Sequence, residues 1–131
     1  VAIQNQPIQS PTMLHHGDLI TLGSAQLQFT KPHPLSPSAR LDLISSTRTN
    51  PFVDGILLMG ESLIIGNNMA NHVVYHGEEH QIVLFQQDGQ LCCRSDYPVE
   101  LDGVVEQTTG ELFYSSQIRS DRISLSLEDT R

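Results

Sequence analysis

The amino-acid sequence predicts an all-β protein built as an antiparallel β-sandwich, and three observations carry that prediction. Short runs alternate apolar and polar residues with period 2, the mark of strands buried on one face. Turn dipeptides containing glycine separate these runs at short intervals, as in sandwiches and barrels. No segment of the 131 residues keeps an apolar stripe at helical spacing.

Taken in order, Ile20-Thr21-Leu22 and Ala25-Gln26-Leu27-Gln28-Phe29 alternate cleanly across a Gly23-Ser24 turn. Leu41-Asp42-Leu43 is a short strand. The stretch from Ile56 to Ile65 is interrupted by Gly60-Glu61-Ser62 and predicts two strands or a hairpin. Strands follow at His72 to Tyr75, Gln81 to Phe85 and Leu91 to Cys93, with Gln87-Asp88-Gly89 as the hairpin turn between the last two. Asp102-Gly103 is another hairpin dipeptide, and Ile123 to Leu127 closes the chain in alternation.

Lys31-Pro32-His33-Pro34-Leu35-Ser36-Pro37-Ser38 holds three prolines, a composition that favours an extended, semi-rigid spacer. A shift of 98 positions places Ile3 on Leu101, Leu14 on Leu112, Ile20 on Ile118, Ala25 on Ile123, Leu27 on Leu125 and Phe29 on Leu127 without a gap. A constant offset of this kind marks a repeated unit. The chain is therefore expected to hold the closing strands of an upstream unit (residues 1–31), a Pro-rich linker (32–38) and a second unit (39–131). It reads as a fragment of a longer protein. If residues 1–31 lack their partners, their apolar face and open edge predict self-association through that segment.

Fifteen acidic residues face seven basic ones, with a net charge of −8. Nucleic acid and anionic membranes bind through Lys and Arg that neutralise phosphates, so this balance argues against both. Cys92 and Cys93 are adjacent, which rarely permits a disulfide. The expectation is one buried and one exposed free thiol. With no secretory pattern, the expected compartment is cytoplasmic.

Several segments resemble the forkhead-associated domain. Leu14-His15-His16-Gly17-Asp18-Leu19-Ile20-Thr21-Leu22-Gly23 is similar to that family's L-x-x-G-D-x-I-x-L-G closing pattern. Ile65-Gly66-Asn67-Asn68-Met69-Ala70-Asn71-His72-Val73 resembles I-G-R-x-x-x-N-D-I, and Gly77-Glu78-Glu79-His80-Gln81-Ile82-Val83 lies over S-R-x-H-A-x-I. Cys92 to Gly103 runs over D-L-G-S-x-N-G-T-x-V-N-G. The resemblance implies a β-sandwich whose loops at one end read phosphothreonine with a fixed guanidinium and hydroxyl donors, because phosphate rewards directional, charge-assisted hydrogen bonds.

Those donors are missing here. The Arg position is Asn67, the Ser and Arg of the second motif are Gly77 and Glu78, and the backbone-holding Asn is Tyr97. Ser95 and His80 survive, and the resemblance gives His80 a supporting role. A like charge beside a phosphate is costly, so Glu78 and Glu79 also oppose the ligand. The expected function is a non-catalytic protein-protein interaction or scaffold module of forkhead-associated type, belonging to signalling, with its phosphothreonine reader lost. Its partner is a protein, it needs no cofactor, and it binds no metal. The competing readings are a purely structural or dimerising domain and a small metal-dependent hydrolase.

The hydrolase reading rests on His76-Gly77-Glu78-Glu79-His80, which matches the inverted zinc-protease pattern H-x-x-E-H. On a helix, His72 would share their face. Val73-Val74-Tyr75 and Gly77 favour strand and turn instead. Asp18 and Asp102 could be offered as an acid/base pair. Their turn positions make backbone hydrogen bonding the simpler assignment.

Overall fold

A computed structural model describes residues 1–46, 48–50, 52–77 and 79–129. Among them there is no helix, and the chain forms thirteen strands in two curled sheets, an all-β, sandwich-like fold. Contacts divide it into two compact units, Val1–Gly60 and Glu61–Arg131.

The first unit holds β1 (Ala2–Ile3), β2 (Gln6–Pro7), β3 (Leu19–Leu22), β4 (Ala25–Thr30), β5 (Ala39–Leu43) and β6 (Gly55–Leu58). Their order in the sheet is β2-β1-β3-β4-β5-β6. Gly23 sits at φ +60° in the β3–β4 turn, a conformation open to glycine at no steric cost.

Two expectations need correction here. The Pro-rich segment is not an extended spacer: Ser36 N–H donates to His33 O at 3.2 Å across a turn. The chain thus doubles back, and β5 lies antiparallel on β4 with Leu27 opposite Leu43 and Thr30 opposite Arg40. The outer edge of β4, the premise for self-association through residues 1–31, is occupied. Residues 39–58 consequently join the first sheet, and the division of the chain falls after Gly60.

The second unit holds β7 (Ser62–Gly66), β8 (Val73–Val74), β9 (Ile82–Gln87), β10 (Gln90–Leu101), β11 (Val104–Leu112), β12 (Gln117–Arg119) and β13 (Ser124–Ser126). The order is β13-β12-β10-β9-β7-β8, with β11 pairing β10. β6 and β7, the two strands either side of Gly60-Glu61, fall in different sheets and do not form a hairpin. Asp88-Gly89 and Asp102-Gly103 both adopt positive φ (53° and 77°, 49° and 84°), the two-residue turn that suits strand twist.

β10 is the spine of this unit. Its first half pairs β9 and its last residues pair β12, while the β10–β11 register shifts between Arg94 and Val99 and again before Leu101. Such bulges bend a strand. The bend lets one sheet enclose its own core of Ile65, Ile82, Cys93, Val99, Leu101, Leu112, Ile118 and Ile123. Leu101 lies so close over Gly110 that a Cβ there would meet its Cδ2 at 2.2 Å.

Both cysteines are free and buried, Cys92 at 8% and Cys93 at 3% exposure, which corrects the expectation of one exposed thiol. They do face opposite sides of β10, but β9 and β11 flank the strand on both edges at Cys92. Burial pushes the Cys93 thiol above its ordinary pKa, and the neighbouring Cys92 and Asp102 add to the rise.

The 98-position offset reappears in the backbone pairing. Ala2↔Thr21 and Ile3↔Ile20 become Glu100↔Arg119 and Leu101↔Ile118, and Leu19↔Gln28 and Ile20↔Leu27 become Gln117↔Ser126 and Ile118↔Leu125. The turn hydrogen bonds follow. Gly17 N–H to Phe29 O at 2.7 Å matches Ser115 N–H to Leu127 O at 2.8 Å, and Gln4 N–H to Leu19 O matches Asp102 N–H to Gln117 O, both at 2.9 Å. Even the positive φ values coincide, Gly17 at 89° with Ser115 at 74° and Gln4 at 51° with Asp102 at 49°.

Candidate functional site

Three connections of the second unit converge at one end: residues 75–77 with 79–81, the bulged stretch 95–98 of β10, and the β12–β13 turn. Tyr75 Oη donates to Arg122 O, and the Arg122 guanidinium donates to Gly77 O at 3.2 Å. Asp96 ties the second connection to the first. Its Oδ1 accepts the Gln81 N–H at 3.0 Å and lies 3.4 Å from His80 Nδ1. The His80 ring stacks on Tyr97 with centroids 4.2 Å apart. Ser95 is buried beneath, its hydroxyl accepting the Tyr97 N–H at 3.3 Å.

The predicted site residues therefore separate into groups. His80, Ser95 and Tyr97 are brought together, and Gly77 accepts a bond from Arg122, which lines the same cleft as His80 and Tyr97. Asn67 is exposed on the connection after β7. Glu78 lies outside the described residues. Asn71, 3% exposed, organises the Asn67 connection, since its amide oxygen accepts the N–H groups of Gly66 and Asn68, both at 3.2 Å. A Cβ at Gly66 would come within 2.6 Å of that amide, so the glycine is required there.

His72 is fully buried at 0% exposure, and its Nδ1 accepts the Ile64 N–H at 3.0 Å. It precedes a two-residue strand, and His76 lies in an exposed turn, so the shared helical face imagined for a zinc site does not form. Among the described residues no three His, Cys, Asp or Glu side chains are grouped to hold a metal ion. Asp18 and Asp102 lie in different units and each bonds backbone. Asp18 Oδ2 accepts the His15 N–H at 2.8 Å, and Asp102 Oδ1 accepts the Gln117 N–H at 2.7 Å.

Between the stacked pair and the β12–β13 turn lies an open cleft of about 710 Å³. Its charged lining is two arginines, Arg119 and Arg122, and four carboxylates, Glu79, Glu100, Glu106 and Asp121. Glu106 stands at φ +59° on the bulge of β11, a backbone state uncommon for a side-chain-bearing residue. Sequence reasoning missed Arg119, Arg122, Glu100 and Glu106. The available signal was charge: twelve of the fifteen acidic residues follow Gly60, so the net −8 resides in the second unit while the first is balanced.

No helix among the described residues is long and apolar enough to cross a membrane. Comparison of the chain with protein-family models, with curated proteins and with solved structures gives no match.

Proposed function

We propose that the second unit is a non-catalytic protein-interaction module of degenerate forkhead-associated type, and that its cleft receives cationic protein segments in place of phosphothreonine. The observation that supports this most directly is the cleft's charge, four carboxylates against two arginines, one of which is already bonded to Gly77. A phosphate needs donors held toward it. Asn67 and Gly77 carry no positive charge, and the His80 ring is engaged by Tyr97 and Asp96. A partner segment bearing Lys or Arg meets complementary charge there, which steers association and sets specificity. The coincident hydrogen bonds at the 98-position offset support a second part of the proposal, that the chain carries parts of two copies of one module.

The test is fluorescence anisotropy with degenerate peptide libraries. Phosphothreonine peptides should bind no more tightly than their unphosphorylated twins. Lys- and Arg-containing peptides should bind measurably and weaken as salt rises. A phosphate-dependent dissociation constant in the low micromolar range overturns the proposal.

A further inference from the structure

We propose that the outer edge of β13 is a docking site for an extended protein segment, which adds to the sheet as a strand in the register that β5 takes on β4. Two hairpins of this chain, β3–β4 and β12–β13, share their pairing and their turn hydrogen bonds at a constant offset. Their outer edges differ. β4 is covered by β5, with Leu27↔Leu43, Gln28↔Asp42, Phe29↔Leu41 and Thr30↔Arg40. Ile44 N–H adds a bond to Gln26 O at 3.0 Å, and Gln26 N–H donates to Ser45 Oγ at 3.1 Å. β13 ends its sheet, and among the described residues no strand pairs with its outer side. Unpaired strand edges present rows of N–H and C=O groups ready for strand addition.

The covered edge defines what fits the open one. Moved by the same offset, the β5 register sets Leu125, Ser126, Leu127 and Glu128 opposite positions filled in β5 by Leu43, Asp42, Leu41 and Arg40. Leu125 and Leu127 pack on the core of the second unit and call for apolar residues at alternate positions. Ser126 takes the place of Gln28, which lies opposite Asp42 on β4, and its hydroxyl can donate to a carboxylate at that position. Glu128 faces the Arg40 position and calls for a cation, a stronger match than the neutral Thr30 that faces Arg40 on β4. The occupant is thus an extended segment alternating apolar residues, with a basic side chain opposite Glu128. The net charge of −8 on the second unit favours such a partner over a second copy of this chain, whose own second unit it would repel.

The probe is a synthetic peptide of residues 38–46, Ser-Ala-Arg-Leu-Asp-Leu-Ile-Ser-Ser, titrated into the isotopically labelled full chain. Saturable shifts and slowed hydrogen exchange should appear at residues 124–128. Replacing the peptide's arginine with glutamate should weaken binding about five-fold, the scale of one exposed charge pair. The exposed Glu128→Lys change should reverse that preference. Absence of a saturable response at 124–128 overturns the proposal. So do changes confined to residues 25–30, which would mean that the peptide merely displaces β5. Protection of 124–128 that grows with chain concentration in the absence of peptide would assign the edge to a second copy, and overturns it as well.

Discussion

Residues 2–29 and 100–127 build one backbone arrangement from different chemistry, and the differences separate what the fold requires from what it tolerates. In the first segment Gln4 Oε1 accepts the Leu19 N–H at 2.7 Å and Asp18 accepts the His15 N–H at 2.8 Å. In the second, Asp102 accepts the Gln117 N–H at 2.7 Å and Ser116 Oγ accepts the Phe113 N–H at 2.8 Å. The carboxylate has changed sides while the lengths agree within each pair. The requirement is an acceptor for each strand-end N–H, because a backbone donor left without one is costly. The second segment adds a link the first lacks, Ser116 Oγ donating to Asp102 Oδ2 at 2.9 Å. Burial also differs. Leu101 and Ile118 are 9% and 3% exposed, whereas Ile3 and Ile20 are only half-buried.

The largest effect should therefore come from paired truncations of the core position. Leu101→Ala removes a side chain packed over Gly110 and should cost about 2–5 kcal/mol, the range for a buried Leu. Ile3→Ala, its counterpart, should cost roughly 1 kcal/mol, since much less apolar surface is lost. Tyr75, Tyr97 and Tyr114 all lie in the second unit, so urea unfolding followed by tyrosine fluorescence reads Leu101→Ala there. Hydrogen exchange of the β3 and β4 amides reads Ile3→Ala. Equal costs would mean that the deeper burial of Leu101 does not separate the two segments at this position.

The acceptors sharpen the comparison at smaller magnitude. Asp102→Ala strips partners from both Gln117 N–H and Ser116 Oγ, one exposed bond and one half-buried, and should cost about 2 kcal/mol at the typical net worth of about 1 kcal/mol each. Asp18→Ala strips one and should cost about 1 kcal/mol. Each segment also supplies the other's conservative replacement. Asp18→Ser reproduces Ser116 and Asp102→Gln reproduces Gln4, so each should recover at least half of the alanine loss in the same exchange and unfolding measurements. Failure of both replacements would mean that acceptor chemistry, not acceptor presence, is what these turns need.

Legibility in the sequence followed the same division between local and distant causes. Alternation revealed β3, β4, β5, β9 and β13, and the Asp-Gly dipeptides located the β9–β10 and β10–β11 turns, because each signal is written in adjacent residues. β11 was not named, since Val104 to Thr109 is mostly exposed and is held by hydrogen bonds to β10 instead of by a buried face. Pro98 concealed the continuity of β10. A proline cannot donate to a ladder, and the strand accommodates it with the register shift between Arg94 and Val99. Nothing local told β5 which strand to join. Prolines set φ at their own positions, but the turn at His33 to Leu35 decided the direction of the chain, and that depended on the edge of β4. Of the site, His80, Ser95 and Tyr97 were legible through motif spacing. Arg119 and Arg122 were not, because they reach the cleft from a strand and turn that follow it by more than twenty residues.

The smallest expected effect tests whether the His-containing connection does any structural or metal-binding work. His76 is exposed in a turn. His76→Ala should change stability by no more than about 0.5 kcal/mol, the usual span for surface positions. His80 differs by one interaction: its side chain is 47% exposed, but the ring rests on Tyr97. Loss of a stacked pair is worth about 0.5–1.5 kcal/mol when buried, and this exposure sets the expectation for His80→Ala near the lower figure. Tyr97→Phe keeps the stack and should be neutral by comparison. Urea midpoints of the three variants, read through the tyrosines and set against the unchanged chain, give the ordering directly. A metal role for His76, Glu79 and His80 predicts a different pattern, with both alanine variants losing a similar, larger amount and losing it only in metal-loaded protein. Metal analysis of the purified chain before and after chelator decides between them, and a stoichiometric, chelator-resistant zinc would favour the metal site over the stacked pair.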